Sequence, residues 1–239
     1  MDHSIIRNLT KKWQPSLNNL PVNSYIGDRE NRYITVNQTQ ASSIISAGLP
    51  VNIFIDQTPL DMPAIIDNNN LGMDKRSIRP VWKDIHANNR SVMQAKQKQA
   101  FIELWPISLT EVQITYSIKQ PILHDQTVIG YMGKSMDIRR EKIGIILNKA
   151  TDNQRLHWHS HHLTHKNSAL LLSEDESRSI CFFLTGNAKL LRHSVGQARC
   201  SIEILKHKLG FASQIRFIQT LLSGTLLQNL LEILKNENL

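Results

Sequence analysis

PILHDQTVIGYMGKSMDI, Pro121 to Ile138, decides how the first half of this chain folds. The polar break HDQT (His124–Thr127) separates two runs rich in β-branched and aromatic residues. EVQITYSIKQPIL (Glu111–Leu123) and TVIGYMGKSMDI (Thr127–Ile138) therefore read as two strands joined by a tight turn. A third such run, AFIELWPI (Ala100–Ile107), precedes them, and NSYIGDRENRYITVN (Asn23–Asn37) holds two more around the turn Asp28-Arg29-Glu30-Asn31. Between these groups the apolar period changes to that of a helix. NQTQASSIISAGLP (Asn37–Pro50) sets Ala41, Ile44, Ile45 and Leu49 at helical spacing before a Gly-Leu-Pro stop, and VWKDIHANNRSVMQAKQ (Val81–Gln97) sets Ile85, Asn89, Val92 and Met93 on one side. A first helix is expected to stop near Pro15. Two strands, short helices and three strands predict a five-stranded antiparallel sheet with helices on one face, an α+β layer and not a doubly wound one.

Composition bounds the rest. At 239 residues, 41% hydrophobic and 20% charged, the chain can bury one large core or two modest ones. No apolar run reaches the length of a membrane span, and the N-terminus lacks the pattern of a signal peptide. Two cysteines, Cys181 and Cys200, without metal-type spacing, fit a reducing, cytoplasmic setting. The net charge of +8 is uneven: residues 1–138 carry 14 Lys/Arg against 12 Asp/Glu, and residues 139–239 carry 14 against 8. Within Gly186–Arg216 six basic residues face one acid, Glu203. A basic field confined to one short segment is what a polyanion-binding element needs, although a solvated helix face would show the same count.

The phrases LPVNSYIGDRENRYITVNQTQA, TPLDMP, SVMQAKQ and PILHDQTVIGYMGKSMDI, in that order over about residues 17–138, resemble a PAS sensor domain of the kind that precedes a bacterial transcriptional output domain. The resemblance implies a cupped sheet that encloses a small-molecule site, and often a homodimer. Tyr25, Ile34, Ile85, Val92, Phe101, Trp105, Ile114, Tyr116 and Ile129 would line a pocket for an apolar or amphipathic ligand, or simply fill a core. The stretch Ala64–Pro80 reads as an inserted surface loop. The family's flavin chemistry requires a cysteine in the sensor, and none occurs before Cys181. A haem would call on His86. No cofactor is expected, and with no phosphate loop, HExxH or nucleophile elbow the chain is not expected to be an enzyme.

From Leu170 the chain turns helical. LSEDESRSICFFL opens on Ser173 with Glu176 three residues on, a capping box, carries Ile180, Phe183 and Leu184 inward, and ends at Gly186. AKLLRH is a short second helix; SVGQARCSIEILKHKLG runs from Ser194 to Gly210 with Ile202, Leu205 and Leu209 inward; ASQIRFIQTLL is a fourth. LSEDESRSICFFLTG and SVGQARCSIEILKHKLGFASQIRFI resemble the LuxR-type helix-turn-helix, over about residues 170–220. The resemblance places Arg199 at a major-groove contact. Lys189, Arg192, Lys206 and Lys208 suit phosphates, Ser194 opens the helix, and Gln197 with Arg199 could read bases. The chain departs from the family pattern in being about five residues short between Gly186 and Leu209, in Gly196 and in Glu203. The final LLQNLLEILKNENL has an apolar face that either folds back or pairs with a second copy.

Between the two lies RLHWHSHHLTHK (Arg155–Lys166), with five of the ten histidines. It follows RREKIGIILNKATDNQ, whose Ile143, Ile146 and Ala150 form a short seam. On an unbroken helix His157, His161 and His165 would share one face, a spacing that can hold a metal or make a pH-sensitive joint. The plainer expectation is a polar connector without metal. The divisions expected are a helical cap at 1–16, a sensor at 17–138, a helical, His-rich connector at 139–169 and the helix-turn-helix with an extra helix at 170–239. Together they predict a one-component transcriptional regulator, a homodimer on duplex DNA, with a small-molecule ligand possible and no membrane contact. The alternative is a sensor and interaction module that has lost DNA binding and acts through a partner regulator.

Overall fold

The two-residue turn Asp125-Gln126 sets the geometry of the sheet. Both residues are left-handed, with φ of 47° and 64°, the type I′ conformation whose twist matches that of the flanking strands. The computed structural model describes residues 2–46, 50–68, 75–106, 112–139, 141–153, 158, 161–165, 168–211, 214–222 and 224–236. It divides into two units, Met1–Met136 and Asp137–Leu239.

The first unit runs α1 (Asp2–Asn18), β1 (Asn23–Asp28), β2 (Tyr33–Val36), α2 (Gln38–Ser46), α3 (Met62–Asn68), α4 (Lys75–Ala95), β3 (Gln99–Pro106), β4 (Val112–His124) and β5 (Thr127–Asp137). The five strands form one sheet in the order β2-β1-β5-β4-β3, so the last strand of the unit sits at its centre. This is the α+β, PAS-like sheet that the sequence predicts. Register pairs Tyr25 with Gly133 and Gly27 with Tyr131. Each tyrosine ring lies flat across the opposite glycine, where any Cβ would overlap the ring. The two Tyr-x-Gly repeats thus interlock across β1 and β5.

Helices cover both faces, not one. Neighbouring residues of a strand point to opposite faces. Ile26 and Ile34 pack with Ile6 and Leu17 of α1, whereas Tyr25 and Tyr33 pack with Met93 of α4. α1 also runs past Pro15 to Asn18. An interior proline costs about 3 kcal/mol. Burial of Leu17 beyond it, worth roughly 1.5–3 kcal/mol, offsets most of that. The expected loop over Ala64–Pro80 is corrected as well: α3 reaches Asn68 and α4 begins at Lys75, and Ile66 and Ile78 are buried. Pro80 lies inside α4 and is not the boundary that its residue type suggests; residues 69–74 are outside the described set.

The second unit runs α5 (Glu141–Asp152), β6 (His162–His165), β7 (Ser168–Leu171), α6 (Glu174–Thr185), a three-residue 3-10 turn (Ala188–Leu190), α7 (Val195–Lys208), α8 (Gln214–Leu222) and α9 (Thr225–Asn236). The predicted capping box of Ser173 with Glu176 forms, and the predicted N-cap Ser194 makes a second box with Gln197; Gly186 and Gly210 take left-handed φ of 72° and 69°. α9 folds back, burying Leu226, Leu227, Leu230, Ile233 and Leu234 against α5 and β6. The seam Ile143, Ile146 and Ala150 is buried inside this unit.

One buried side chain ties the entry of the first unit together. Asn37 Oδ1 accepts from the backbone N–H of Ser24 at 3.0 Å and of Gln40 at 2.9 Å. Its Nδ2 donates to the carbonyls of Leu17, Leu20 and Val22 at 3.3, 3.2 and 2.8 Å. Asn37→Ala leaves these groups unpaired, at about 1–3 kcal/mol for the buried ones that water cannot reach. A urea melt followed by tryptophan fluorescence should show a loss of about 3 kcal/mol from the first unit.

Candidate functional site

The face of the sheet toward α4 is polar at its centre. Lys119 on β4 is fully buried, and its Nζ lies 2.5 Å from Glu103 Oε1 on β3 and 2.6 Å from Asn89 Oδ1 on α4. Asn88 Nδ2 donates to the same Glu103 oxygen at 2.9 Å. Lys119 is opposite Gln99 and Glu103 opposite Thr115, four residues apart along the ladder, or roughly 13 Å. Both side chains must therefore lean toward each other, and they meet over Phe101, whose ring centroid is 5.4 Å from Nζ. Burial lowers the lysine's pKa, and Glu103 opposes that by charge and by hydrogen bond.

Around the pair stands a box of aromatic rings. Tyr25 meets Tyr33 edge-on at 5.6 Å and Tyr131 and Trp105 at 6.2 Å, and Trp82 of α4 meets Trp105 edge-on at 5.4 Å. Burial raises the phenol pKa values of all three tyrosines, and the charge of Glu103 adds to each. Among the described residues, four buried polar atoms here have no hydrogen-bond partner: Tyr33 Oη, Trp82 Nε1, Trp105 Nε1 and Glu103 Oε2. Tyr25 Oη has Ser135 beside it without a hydrogen bond of normal geometry. Buried polar atoms are rarely left this way.

The predicted lining divides. Tyr25, Phe101 and Trp105 belong to the box, and Ile85 and Val92 are buried on α4. Ile34 and Ile129 instead pack in the α1 cluster. Ile114 and Tyr116 alternate with Thr115, Ser117 and Lys119 and so turn to the opposite face. Sequence reading missed Lys119, Glu103, Asn89, Tyr33, Trp82 and Tyr131. His86 Nδ1 is engaged by Asn31 Nδ2 at 2.9 Å.

In the second unit α7 buries Ala198, Ile202 and Leu205, so its outward ridge is Gly196, Cys200, Glu203 and His207, all exposed. Arg199 and Lys208 flank that ridge, exposed, and Lys189 is exposed on the 3-10 turn. Arg192 pairs with Glu174 at 2.9 Å and Lys206 with Glu203 at 3.8 Å. Ser194 and Gln197 serve each other in the capping box, which takes up the oxygen that Gln197 would offer a base. The predicted second helix is only the turn Ala188–Leu190. Arg178 takes over its positioning. This buried guanidinium donates to the Leu190 carbonyl at 3.0 Å, pairs with Glu174 at 2.8 Å and lies 4.3 Å over the Trp158 ring. Asn187 Nδ2 ties the start of the turn to α5 through Asn148 Oδ1 at 2.9 Å and the Gly144 carbonyl at 3.3 Å.

Ser179 Oγ lies 3.2 Å from His193 Nε2, whose Nδ1 is 3.7 Å from Asp175. Ser179 is fully buried and out of a substrate's reach, so the trio braces α6. Among the described residues of the histidine stretch, His162–His165 is a strand, with α5 ending earlier at Asp152. His161 directly precedes that strand and His165 ends it, so their backbone separation is that of extended chain and not of one helical turn. His157 lies outside the described residues. His161 is buried near Thr225, Nδ1 to Oγ1 3.4 Å. Among the described residues no cluster of His, Cys, Asp or Glu could hold a metal ion, and no helix is long and apolar enough to cross a membrane.

No protein-family model matches the chain, and no curated protein does. Among solved structures it is similar to the PAS domain of Bordetella pertussis BvgS, at 16% identity over 62% of this chain and 97% of that one, with a TM-score of 0.41. It is also similar to VqmA from Vibrio cholera in a complex with ligand and DNA, at 18% identity over 87% and 85% of the two chains, with a TM-score of 0.45. A phage VqmA–DPO complex matches at 18% identity over 99% and 88%, with a TM-score of 0.45.

Two substitutions probe these sites. Lys119→Met leaves Glu103 buried and unpaired and should cost about 3–5 kcal/mol, whereas Lys119→Met with Glu103→Leu should recover most of it; urea melts of the single and double variants measure both. Arg178→Met removes the donor to Leu190 and should cost the second unit about 2 kcal/mol, read by the melting of its helical circular dichroism.

Proposed function

We propose that this chain is a transcriptional regulator, not an enzyme, that binds duplex DNA through α7 under the control of a small molecule held at the Lys119 site. It works inside the cell as a homodimer on a site of two-fold symmetry. The sensor is residues 17–138, the connector 139–169 and the output 170–239. The observation that carries the reading is α7 itself. It is a helix capped at its N-terminus, braced by a buried arginine, and flanked by exposed Arg199 and Lys208, which have no ion-pair partner among the described residues. Lys189, Arg199 and Lys208 neutralise phosphates, and Arg199 is the side chain with reach for a guanine edge. The unpaired indole and phenol donors call for acceptors on the ligand, and Glu103 Oε2 calls for a donor. The ligand is thus a small polar molecule carrying both.

A second reading is favoured by the outward ridge of α7, where Glu203 sits among uncharged residues, and by the three-residue turn in place of a second helix. On that reading the output unit meets a partner regulator.

Fluorescence anisotropy of labelled duplexes, including the region upstream of the protein's own coding sequence, separates the two. Three phosphate contacts per protomer predict a log–log salt slope of about −2.7 for each protomer bound. Arg199→Ala should weaken the preferred sequence about tenfold relative to others. Binding equal on all sequences and unchanged by Arg199→Ala would favour the partner reading.

A further inference from the structure

The buried lysine is joined to the surface by a line of hydrogen bonds that all run the same way. Lys119 Nζ donates to Asn89 Oδ1 at 2.6 Å. Asn89 Nδ2 donates to Asn31 Oδ1 and to Tyr131 Oη, both at 2.8 Å. Asn31 Nδ2 donates to His86 Nδ1 at 2.9 Å and to the His86 carbonyl at 3.1 Å. Each amide accepts on the side of the lysine and donates on the side of the histidine. The direction is forced at its inner end, because an ammonium can only donate. It therefore requires His86 Nδ1 to be an acceptor, which only the neutral imidazole provides.

A proton on Nδ1 sets two donors face to face. Asn31 can answer by turning its amide over, but then its Nδ2 meets Asn89 Nδ2. If Asn89 turns in response, its Nδ2 meets the Lys119 ammonium. The line cannot reverse while the lysine is charged, so a proton at its outer end breaks it. Asn31 is fixed against drifting away: it holds left-handed φ of 69°, its N–H donates to the Asp28 carbonyl at 3.0 Å, and it is buried between β1 and α4.

We propose that His86 is a proton-operated control on the sensor site: a proton at Nδ1 breaks the hydrogen-bond line between His86 and Asn89, the amide that holds Lys119, changing what the aromatic box can hold. This deepens the ligand-controlled reading of the Lys119 site and rests on it. The charged groups that bear on the ring are Arg90, one turn along α4, and Asp61 ahead of α3. On the β1–β2 turn the nearby Asp28 is bound to Arg32 at 2.8 Å. Burial first, then Arg90, lowers the pKa of His86, while Asp61 raises it. For a group lowered in this way, the stabilisation is complete above the unfolded value of 6.5 and is lost as pH falls through the lower folded value. The line is closed at neutral pH and opens in mild acid.

The test is a pH titration of the full chain by heteronuclear NMR from pH 8 to 5. It follows the His86 ring and the side-chain NH2 groups of Asn31 and Asn89 together. All three should move with one shared midpoint below 6.5, and in His86→Gln, which keeps an acceptor but cannot titrate, the Asn89 signals should stay flat. If His86 titrates while the Asn89 signals hold their pH 8 positions, the proposal is overturned. Should the variant fail to fold, the co-titration in the unaltered chain decides alone. The titration reads the network directly, so a failure of DNA binding does not alter its outcome.

Discussion

A lysine with no exposed surface in the middle of a sheet is the constraint around which the first unit is organised. Removing an ammonium from water costs several kcal/mol even after relaxation, so Lys119 can be buried only if other elements supply acceptors. β3 supplies Glu103 and α4 supplies Asn89. Because Glu103 and Lys119 stand four ladder positions apart, the pair fixes strand register: a slip of two residues would leave the side chains facing the same way but at the wrong distance. Because Asn88 and Asn89 reach the pair from above, it also fixes where α4 crosses the sheet. Trp82, Ile85, Asn89, Val92 and Met93 follow at helical spacing on the buried side of α4.

The reciprocal Tyr–Gly pairs of β1 and β5 complete this arrangement. Rings laid over glycines fill the space that side chains at 27 and 133 would have taken. That leaves the phenols aligned across the sheet toward Trp105 and Glu103. An apolar filling of the same volume would be about as stable, since buried ion pairs rarely outperform apolar packing.

The strands, the Asp28–Asn31 and Asp125–Gln126 turns, the Ser173–Glu176 capping box, the N-cap Ser194 and the glycine stops are legible in the sequence because each depends on a few adjacent residues. The face of β4 is not. Thr115, Ser117 and Lys119 alternate with Ile114, Tyr116 and Ile118, and alternation normally sends the polar set to solvent. This sheet is covered on both faces, so alternation separates two interiors and cannot say which is which. The polar set faces α4, which is why sequence pattern puts Ile114 and Tyr116 in the pocket and passes over Lys119. The histidine stretch misleads for a related reason: helical periodicity carried past Asp152 runs beyond the end of the helix, and a strand has a different period. AKLLRH (Ala188–His193) reads as a short helix, but only Ala188–Leu190 turns, and three residues cannot close an α-helical turn.

That short turn, Ala188–Leu190, sets the entry to α7 with little burial of its own. A full second helix positions its successor by burying a stripe of side chains. Here Leu190 is the one buried residue of the turn, so most of that burial is gone. Arg178 replaces area with direction: a planar guanidinium held between Glu174 and the Trp158 ring presents a fixed N–H to the Leu190 carbonyl. Asn187 fastens the other end of the turn to α5. The entry to α7 is then set by hydrogen bonds from two neighbouring helices and not by packing along its own predecessor. A movement of α5 would be felt at Asn187, a short length of chain before Ser194 opens α7. α5, which supplies both acceptors to Asn187, directly follows β5 in sequence.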